Sequence, residues 1–144
     1  MPSVFRFLED VALADAAFEA TGDSPSELFR AAAQAVIETL ADPKTVAATW
    51  RRTITREDED LASLLFDWLS EIVYVKDAQG VVFREAVPVV RQERGRWRLD
   101  ATLVGAPVDP ATQELRADVK GVTKHLYELK QDGTRWTARV VLDI

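Results

Sequence analysis

The chain has 144 residues, of which 47% are hydrophobic and 29% charged, and its formal net charge is −6. This composition is globular, and the length predicts a single domain spanning residues 1–144. The absence of cysteine excludes disulfides, thiolate metal sites and cysteine nucleophiles, and favours a cytoplasmic location. We also expect no secretory leader, no membrane span and, because the balance of charge is acidic, no strong direct binding of nucleic acids.

Two helices are indicated by capping residues and by apolar periodicity. The first begins at Ser24, an N-cap followed by Pro25 at the first helical position, and Glu27 completes a capping box. Apolar residues then recur at helical spacing until Asp42-Pro43 ends the helix. The second helix begins within the acidic run 57–60. Its apolar stripe comprises Leu61, Leu64, Leu65, Trp68, Ile72 and Val75.

Two acidic features of the second helix admit a functional as well as a structural interpretation. The run Glu57–Asp60 could bind a cation, but a solvated helix start is the commoner role of such a run. Asp67 falls beside the apolar stripe, where a carboxylate is more often a surface or capping contact than a catalyst.

Strand-like segments occupy much of the remaining chain. They cover residues 3–8, 12–20, 46–55, 80–90, 96–105, 114–123 with a continuation to 130, and 134–144. Together with the helices they predict an α+β fold, in which a mixed or antiparallel sheet carries two packed helices.

The clearest hairpin joins the last two segments through Asp132-Gly133, a sequence that favours a type I′ turn. Counting outward from this turn predicts the register of the hairpin. It pairs Gln131 with Thr134, Leu129 with Trp136, Tyr127 with Ala138, His125 with Val140, and Thr123 with Leu142.

This register assigns the chemically interesting residues of the hairpin to its two faces. His125, the only histidine, falls on the core face, where a partly buried, hydrogen-bonded ring is favoured over a catalytic or ligand role. Asp143 falls opposite Val122 on the other face. Lys120 shares that face unless a bulge at Gly121 shifts it.

The apolar run before Asp143 predicts that the end of the chain is held as a strand. Asp143 and the α-carboxylate of Ile144 would then present two carboxylates close together. A third, from Asp15 among small residues, would complete an all-oxygen pocket suited to Ca²⁺, Mg²⁺ or Mn²⁺. Exposed strand acids without a ligand are the alternative, and the sequence leaves open whether the segment 12–20 meets the C-terminus.

Four motifs in fixed order identify a family resemblance. They are "FEATGDSPSELFRAAAQAV", "LLFDWLSEIVY", "DVKGVTKHLYEL" and the terminal "ARVVLDI". From "FRFLED" to the last residue the chain resembles the archeases, small accessory proteins of the GTP-dependent RNA-splicing ligase. The resemblance implies a mixed α+β domain with two helices packed on β-sheet.

The resemblance also implies a site and a function. It assigns Asp15, Asp143 and the carboxylate of Ile144 to a divalent-cation site, most simply for Ca²⁺ with Mg²⁺ and Mn²⁺ as alternatives. It assigns Lys120 to ligase activation, and His125 matches the same family segment. The implied protein has no catalytic residues of its own but promotes guanylylation and multiple turnover of a tRNA-splicing RNA ligase.

The chain departs from the family pattern in "EDVALAD", residues 9–15. The family histidine three positions before Asp15 is Ala12 here, and extra residues follow Glu9-Asp10. Asp10 is a candidate replacement donor, and a changed metal preference or a specialised partner are the alternatives.

Two further functions remain as alternatives. The first, from the same family, is a chaperone-like binder that keeps a tRNA methyltransferase from aggregating. The second is a small metal-dependent hydrolase, which is disfavoured because the chain has one histidine, no cysteine and no Gly-rich phosphate loop.

Overall fold

The computed structural model describes residues 4–8 and 15–144, except for the side chain of Asp15. The helices are α1 (Pro25–Leu40) and α2 (Leu61–Gln79), with a short 3-10 helix at Pro43–Thr45. The strands are β1 (Val4–Phe7), β2 (Asp15–Gly22), β3 (Trp50–Asp58), β4 (Val81–Glu93), β5 (Arg96–Pro107), β6 (Gly121–Asp132) and β7 (Arg135–Asp143). The predicted α+β class is confirmed.

The strands form two sheets, and every strand pair in the described part of the chain is antiparallel. One sheet has the order β1-β2-β7-β6 and the other the order β3-β5-β4. Because β7 lies between β2 and β6 and runs antiparallel to both, the beginning of β2, the beginning of β6 and the end of β7 meet at one end of the four-stranded sheet.

Helix α1 begins as its capping residues predict. The Ser24 hydroxyl accepts a hydrogen bond from the Glu27 N–H at 3.2 Å, and the Glu27 carboxylate accepts one from the Asp23 N–H at 2.7 Å. In α2, the Asp60 carboxylate caps the first turn by accepting from the Ser63 N–H at 3.1 Å. The acidic run before α2 therefore ends β3 and caps a helix.

The two helices share one core with both sheets. Helix α1 contacts β2 and β4, and α2 contacts β6 and β3, so each helix touches strands of both sheets. At the centre, the fully buried Trp68 donates its indole N–H to the carbonyl oxygen of Phe29 at 3.1 Å, which joins α2 to α1. Trp97 of β5 and Trp136 of β7 meet edge to face, with ring centroids 6.3 Å apart. Asp67 is exposed, in agreement with its surface interpretation.

Two predicted strands begin later than expected. The segment 46–55 becomes a strand only at Trp50. The segment 114–123 becomes one only at Gly121, because the N–H groups of Arg116 and Ala117 donate to carbonyls at the end of α1 instead of to a neighbouring strand. Residues 116–120, which we call the lead-in segment, are therefore irregular backbone.

The predicted turn of the β6–β7 hairpin is wrong by one position. Asp132 pairs with Arg135, so the two loop residues are Gly133 and Thr134. Only Gly133 has a positive φ, 62°, which is the sign pattern of a type II′ turn with glycine first rather than of a type I′ turn. Leu129 accordingly lies opposite Ala138 and not opposite Trp136.

A wide bulge interrupts the same hairpin. Thr123 pairs with Val141 and Glu128 with Arg139, so four residues of β6, numbers 124–127, face a single residue of β7. His125 lies in this bulge and is exposed, so its predicted place on the core face is wrong. Beyond the bulge the register has moved again, and Asp143 lies opposite Gly121 rather than Val122.

Neither helix in the described part of the chain is long and apolar enough to span a lipid bilayer.

Gly105 marks a close backbone approach between β5 and β4. A Cβ atom at Gly105 would lie 2.0 Å from the carbonyl oxygen of Val82, whereas one at Gly121 would meet nothing within 4 Å. We predict that Gly105→Ala lowers the free energy of unfolding by about 3 kcal/mol or more, since the obstructing atom is backbone. Urea unfolding checks this, with Gly121→Ala as the matched control. Equal stability of the two variants would contradict the close packing.

Candidate functional site

The end of the four-stranded sheet brings together the residues that the sequence singled out. Asp143 is the Cα partner of Asp15 on one side and of Gly121 on the other. The early acidic strand therefore meets the end of β7, a pairing that the sequence left open. We call Asp15, Lys120, Asp143 and Ile144 the strand-end cluster.

The last strand is held firmly up to the cluster, as its apolar run predicts. Val141 and Leu142 are fully buried, while Asp143 and Ile144 are exposed. The backbone N–H of Lys120 donates to the carbonyl oxygen of Asp143 at 2.7 Å. Lys120 is itself exposed. A carboxylate and an ammonium that are accessible to a partner thus originate from adjacent, hydrogen-bonded backbones.

The donor chemistry of the cluster suits a hard cation. Aspartate and terminal carboxylates supply only oxygen, which Ca²⁺, Mg²⁺ and Mn²⁺ prefer. Among the side chains that the structure describes, no three His, Cys, Asp or Glu residues converge on a common point. This does not test the predicted ligand set. That set includes Asp15, whose side chain the structure does not describe, and the terminal carboxylate of Ile144. Cation binding therefore stays a prediction.

The altered motif "EDVALAD" falls almost wholly outside the described residues. Glu9, Asp10 and Ala12 belong to the range 9–14, so the possible replacement of the family histidine by Asp10 stays a prediction as well.

The lead-in segment is anchored from inside the protein by Lys76, near the end of α2. Its ammonium donates to the Asp118 carboxylate at 2.6 Å and to the Val119 carbonyl at 2.7 Å, and lies 2.9 Å from the Asp77 carboxylate. Burial alone would lower the pKa of Lys76, but the hydrogen bonds to Asp118 and Asp77 outweigh it and raise the pKa above its ordinary 10.5. The lysine is therefore charged at neutral pH.

Sequence reasoning missed Lys76. A signal was present, because Lys76 follows Ile72 by four positions and so falls on the apolar stripe of α2. A cation on a buried stripe needs a partner of opposite charge, which directs attention to acids elsewhere in the chain. The sequence alone does not show that the fold places Asp118 beside Lys76.

The bulge of β6 packs against the start of α2 and does not join the cluster. The Tyr127 hydroxyl donates to the Ala62 carbonyl, and burial raises the pKa of Tyr127 above its ordinary value. The Lys124 ammonium lies 5.1 Å from the ring centroid of Phe66, a cation–π contact. The backbone N–H of His125 donates to the Thr123 hydroxyl at 3.1 Å. His125 lies in the bulge opposite Val140, three positions along β7 from Asp143.

Comparison with known proteins gives consistent matches over nearly the whole chain. The model of the archease protein family matches residues 5–144. The archease of Methanosarcina barkeri is 35% identical over 132 residues, which cover 91% of this chain and 90% of the relative. That of Pyrococcus abyssi is 35% identical over 134 residues, covering 91% and 93%.

Solved structures agree. The solution structure of protein 1598 of Methanobacterium thermoautotrophicum superposes with a TM-score of 0.81 at 32% identity, covering 97% of this chain and 98% of the other. The crystal structure of an archease from Thermotoga maritima, described as a possible chaperone, has a TM-score of 0.63 at 19% identity, with 92% and 93% covered. The second likeness concerns the fold alone.

The fold and the strand-end cluster together define a class, an α+β domain in which two antiparallel sheets share one core with two helices and the last strand ends among charged residues. The chain belongs to the archease family, as its motifs predicted.

The raised pKa of Lys76 predicts how stability changes at high pH. A lysine with a raised folded-state pKa contributes stability below its unfolded value of 10.5, and this is lost as the pH rises through the higher folded value. We compare the free energies of unfolding of wild type and Lys76→Met. Their difference should stay constant from about pH 7 to 9, and above pH 10.5 the wild type should lose stability relative to the variant. Urea unfolding at several pH values measures it.

A second ionisation accompanies this one, because Tyr127 also has a raised pKa and also destabilises the fold when it ionises. It is present in both proteins and cancels in the difference. Repeating the comparison in a Tyr127→Phe background removes it altogether. A difference that does not change between about pH 9 and 12 would contradict the assignment.

Proposed function

We propose that this protein is a cytoplasmic accessory protein that activates a GTP-dependent RNA-splicing ligase, promoting ligase guanylylation and multiple turnover. The observation that carries the proposal is the meeting of Asp15, Asp143 and the Lys120 backbone at one sheet end. These are the positions to which the family resemblance assigns the cation site and the activating lysine. Family membership supports the proposal, because it covers all of them in one match.

In this proposal, Asp15, Asp143 and the carboxylate of Ile144 hold a divalent cation, with Ca²⁺ favoured and Mg²⁺ or Mn²⁺ as alternatives. When bound, the cation supplies a positive charge that can attract phosphate oxygens. The exposed ammonium of Lys120 binds a phosphate of GTP or a carboxylate of the ligase. Both groups act by positioning and by electrostatics, and the ligase provides the nucleophile.

The exposed position of the strand-end cluster suits docking into a cleft of the partner better than catalysis by this protein alone. The cluster lies at an exposed sheet end, where Lys120, Asp143 and Ile144 are all exposed. Partial charges act more strongly once water is excluded, and a cleft of the ligase would exclude it on docking. The ligase, not RNA, is accordingly the proposed direct partner, in keeping with the net charge of −6.

Asp143→Asn tests the proposal. We expect the variant to keep its fold, because Asp143 is exposed and its backbone bonds remain, and to lose ligase stimulation about tenfold or more. The measurement is single- and multiple-turnover ligation by the cognate ligase with GTP and divalent metal. Asp132→Asn is the matched control, since Asp132 is exposed at the far end of the same hairpin. Full stimulation by Asp143→Asn would overturn the role of that carboxylate.

The role of Ile144 is tested separately. A two-residue extension after Ile144 moves the terminal carboxylate away from Asp143, while the side chains of Asp143 and Ile144 are unchanged. Weaker stimulation, with a raised requirement for divalent metal, is expected from the loss of one oxygen ligand. An extended protein with unchanged metal dependence would remove Ile144 from the ligand set.

A second candidate is a chaperone-like binder of a tRNA methyltransferase. It is favoured by exposed apolar side chains on the sheet edge, where Val4 is 53% and Phe7 45% exposed on the edge strand β1. The description of the Thermotoga maritima relative as a possible chaperone points the same way. This function depends on apolar surface and not on the strand-end cluster.

Asp15→Ala separates the two candidates. Protection of the methyltransferase from aggregation, followed by light scattering, should survive this substitution, because the apolar edge is unchanged. Ligase stimulation should not survive it. Loss of aggregation protection in Asp15→Ala would contradict the independence of the two surfaces.

A further inference from the structure

Lys76 is a buried cation that the proposed function does not use. The residue is 7% exposed, and its ammonium contacts Asp118, the Val119 carbonyl and Asp77 within 2.9 Å. Two of these three partners belong to the lead-in segment, residues 116–120. The next residue after them is Lys120, the proposed activating lysine.

Each part of the lead-in segment is held by a different element. Arg116 and Ala117 donate their N–H groups to the end of α1, and Lys120 donates its N–H to Asp143 at the end of β7. Between them, the side chain of Val119 is fully buried, and Lys76 of α2 holds Asp118 and the Val119 carbonyl. Because these residues form no strand, their path depends on such individual contacts. Among the contacts that the structure describes, the ammonium of Lys76 is the one charged group that comes from the interior.

The two sides of the ion pair are unequally exposed. The Asp118 side chain is 75% exposed and is well solvated without a partner, whereas that of Lys76 is only 8% exposed. Burying an ammonium costs desolvation energy that an apolar side chain of the same length avoids. Packing alone therefore does not account for a lysine at this position. In some proteins, a buried ion pair is retained because it selects one arrangement of the segment that it holds.

We propose that Lys76 is a positioning residue for the strand-end cluster. Its ammonium fixes Asp118 and the Val119 carbonyl, so that the chain reaches β6 with Lys120 bonded to Asp143. The consequence for ligase activation rests on the proposed function. The placement of Lys120 rests only on the contacts of Lys76.

Lys76→Met removes the ammonium and keeps the length of the side chain. Asp118→Asn is the second variant, which weakens the same contact from its exposed side, where the new amide stays solvated. Asp77→Asn is the matched control, because Asp77 also contacts Lys76 but lies on α2 and not on the lead-in segment. All three proteins are compared with wild type in two experiments.

The first experiment is amide hydrogen exchange followed by NMR. We expect the Lys120 amide to exchange about tenfold faster in Lys76→Met and several-fold faster in Asp118→Asn, with the amides of β3 and β5 unchanged. Asp77→Asn should match wild type. Unchanged exchange at Lys120 in both variants overturns the proposal, and so does an equal acceleration at all amides, which reports only global stability.

The second experiment is ligase stimulation as a function of protein concentration. If Lys120 is misplaced, Lys76→Met should reach a maximum about tenfold lower while the concentration for half-maximal effect changes little. Unchanged stimulation despite faster exchange at Lys120 overturns the functional part. Failure of wild type to stimulate the ligase overturns the proposed function instead, and the exchange experiment still decides whether Lys76 positions Lys120.

Discussion

The pairing of β7 on both of its edges is the constraint on which the rest of the structure depends. An interior strand with fully buried Val140, Val141 and Leu142 has no freedom to fray, even though it is the last strand of the chain. Because β2 and β6 both pair with its final residue, three distant parts of the sequence meet at Asp143. A terminal segment thereby becomes a fixed point of the fold.

Local sequence signals predicted the elements whose bonds are themselves local. Ser24 and Glu27 predicted the start of α1, because a capping box satisfies backbone N–H groups within the first turn. The apolar run before Asp143 predicted that the end of the chain is held as a strand, because apolar side chains there need a packed core to cover them. The family motifs added the identity of the cluster residues, which spacing alone left undecided.

The errors concern features that depend on distant partners. The segment that contains Arg116 and Ala117 was predicted to be a strand, but the N–H groups of these two residues donate to carbonyls at the end of α1. No local sequence pattern reveals such a distant partner. His125 was predicted to lie on the core face because the register was counted along a continuous β6–β7 ladder. The bulge interrupts that ladder. Lys76 was overlooked, because its partner Asp118 lies 42 positions away in the chain.

The bulge at residues 124–127 separates the two ends of the β6–β7 hairpin. In an uninterrupted ladder, the loop length would dictate which residue lies opposite Asp143, and one residue gained or lost at the tip would turn every side chain of β6 over. Here the extra residues of β6 are absorbed between Thr123 and Glu128, where Leu126 adopts a left-handed φ of 56°. The pairs beside Asp143, which involve Gly121 to Thr123 of β6, are thereby out of step with the pairs that the turn at Gly133 sets at the other end of the hairpin.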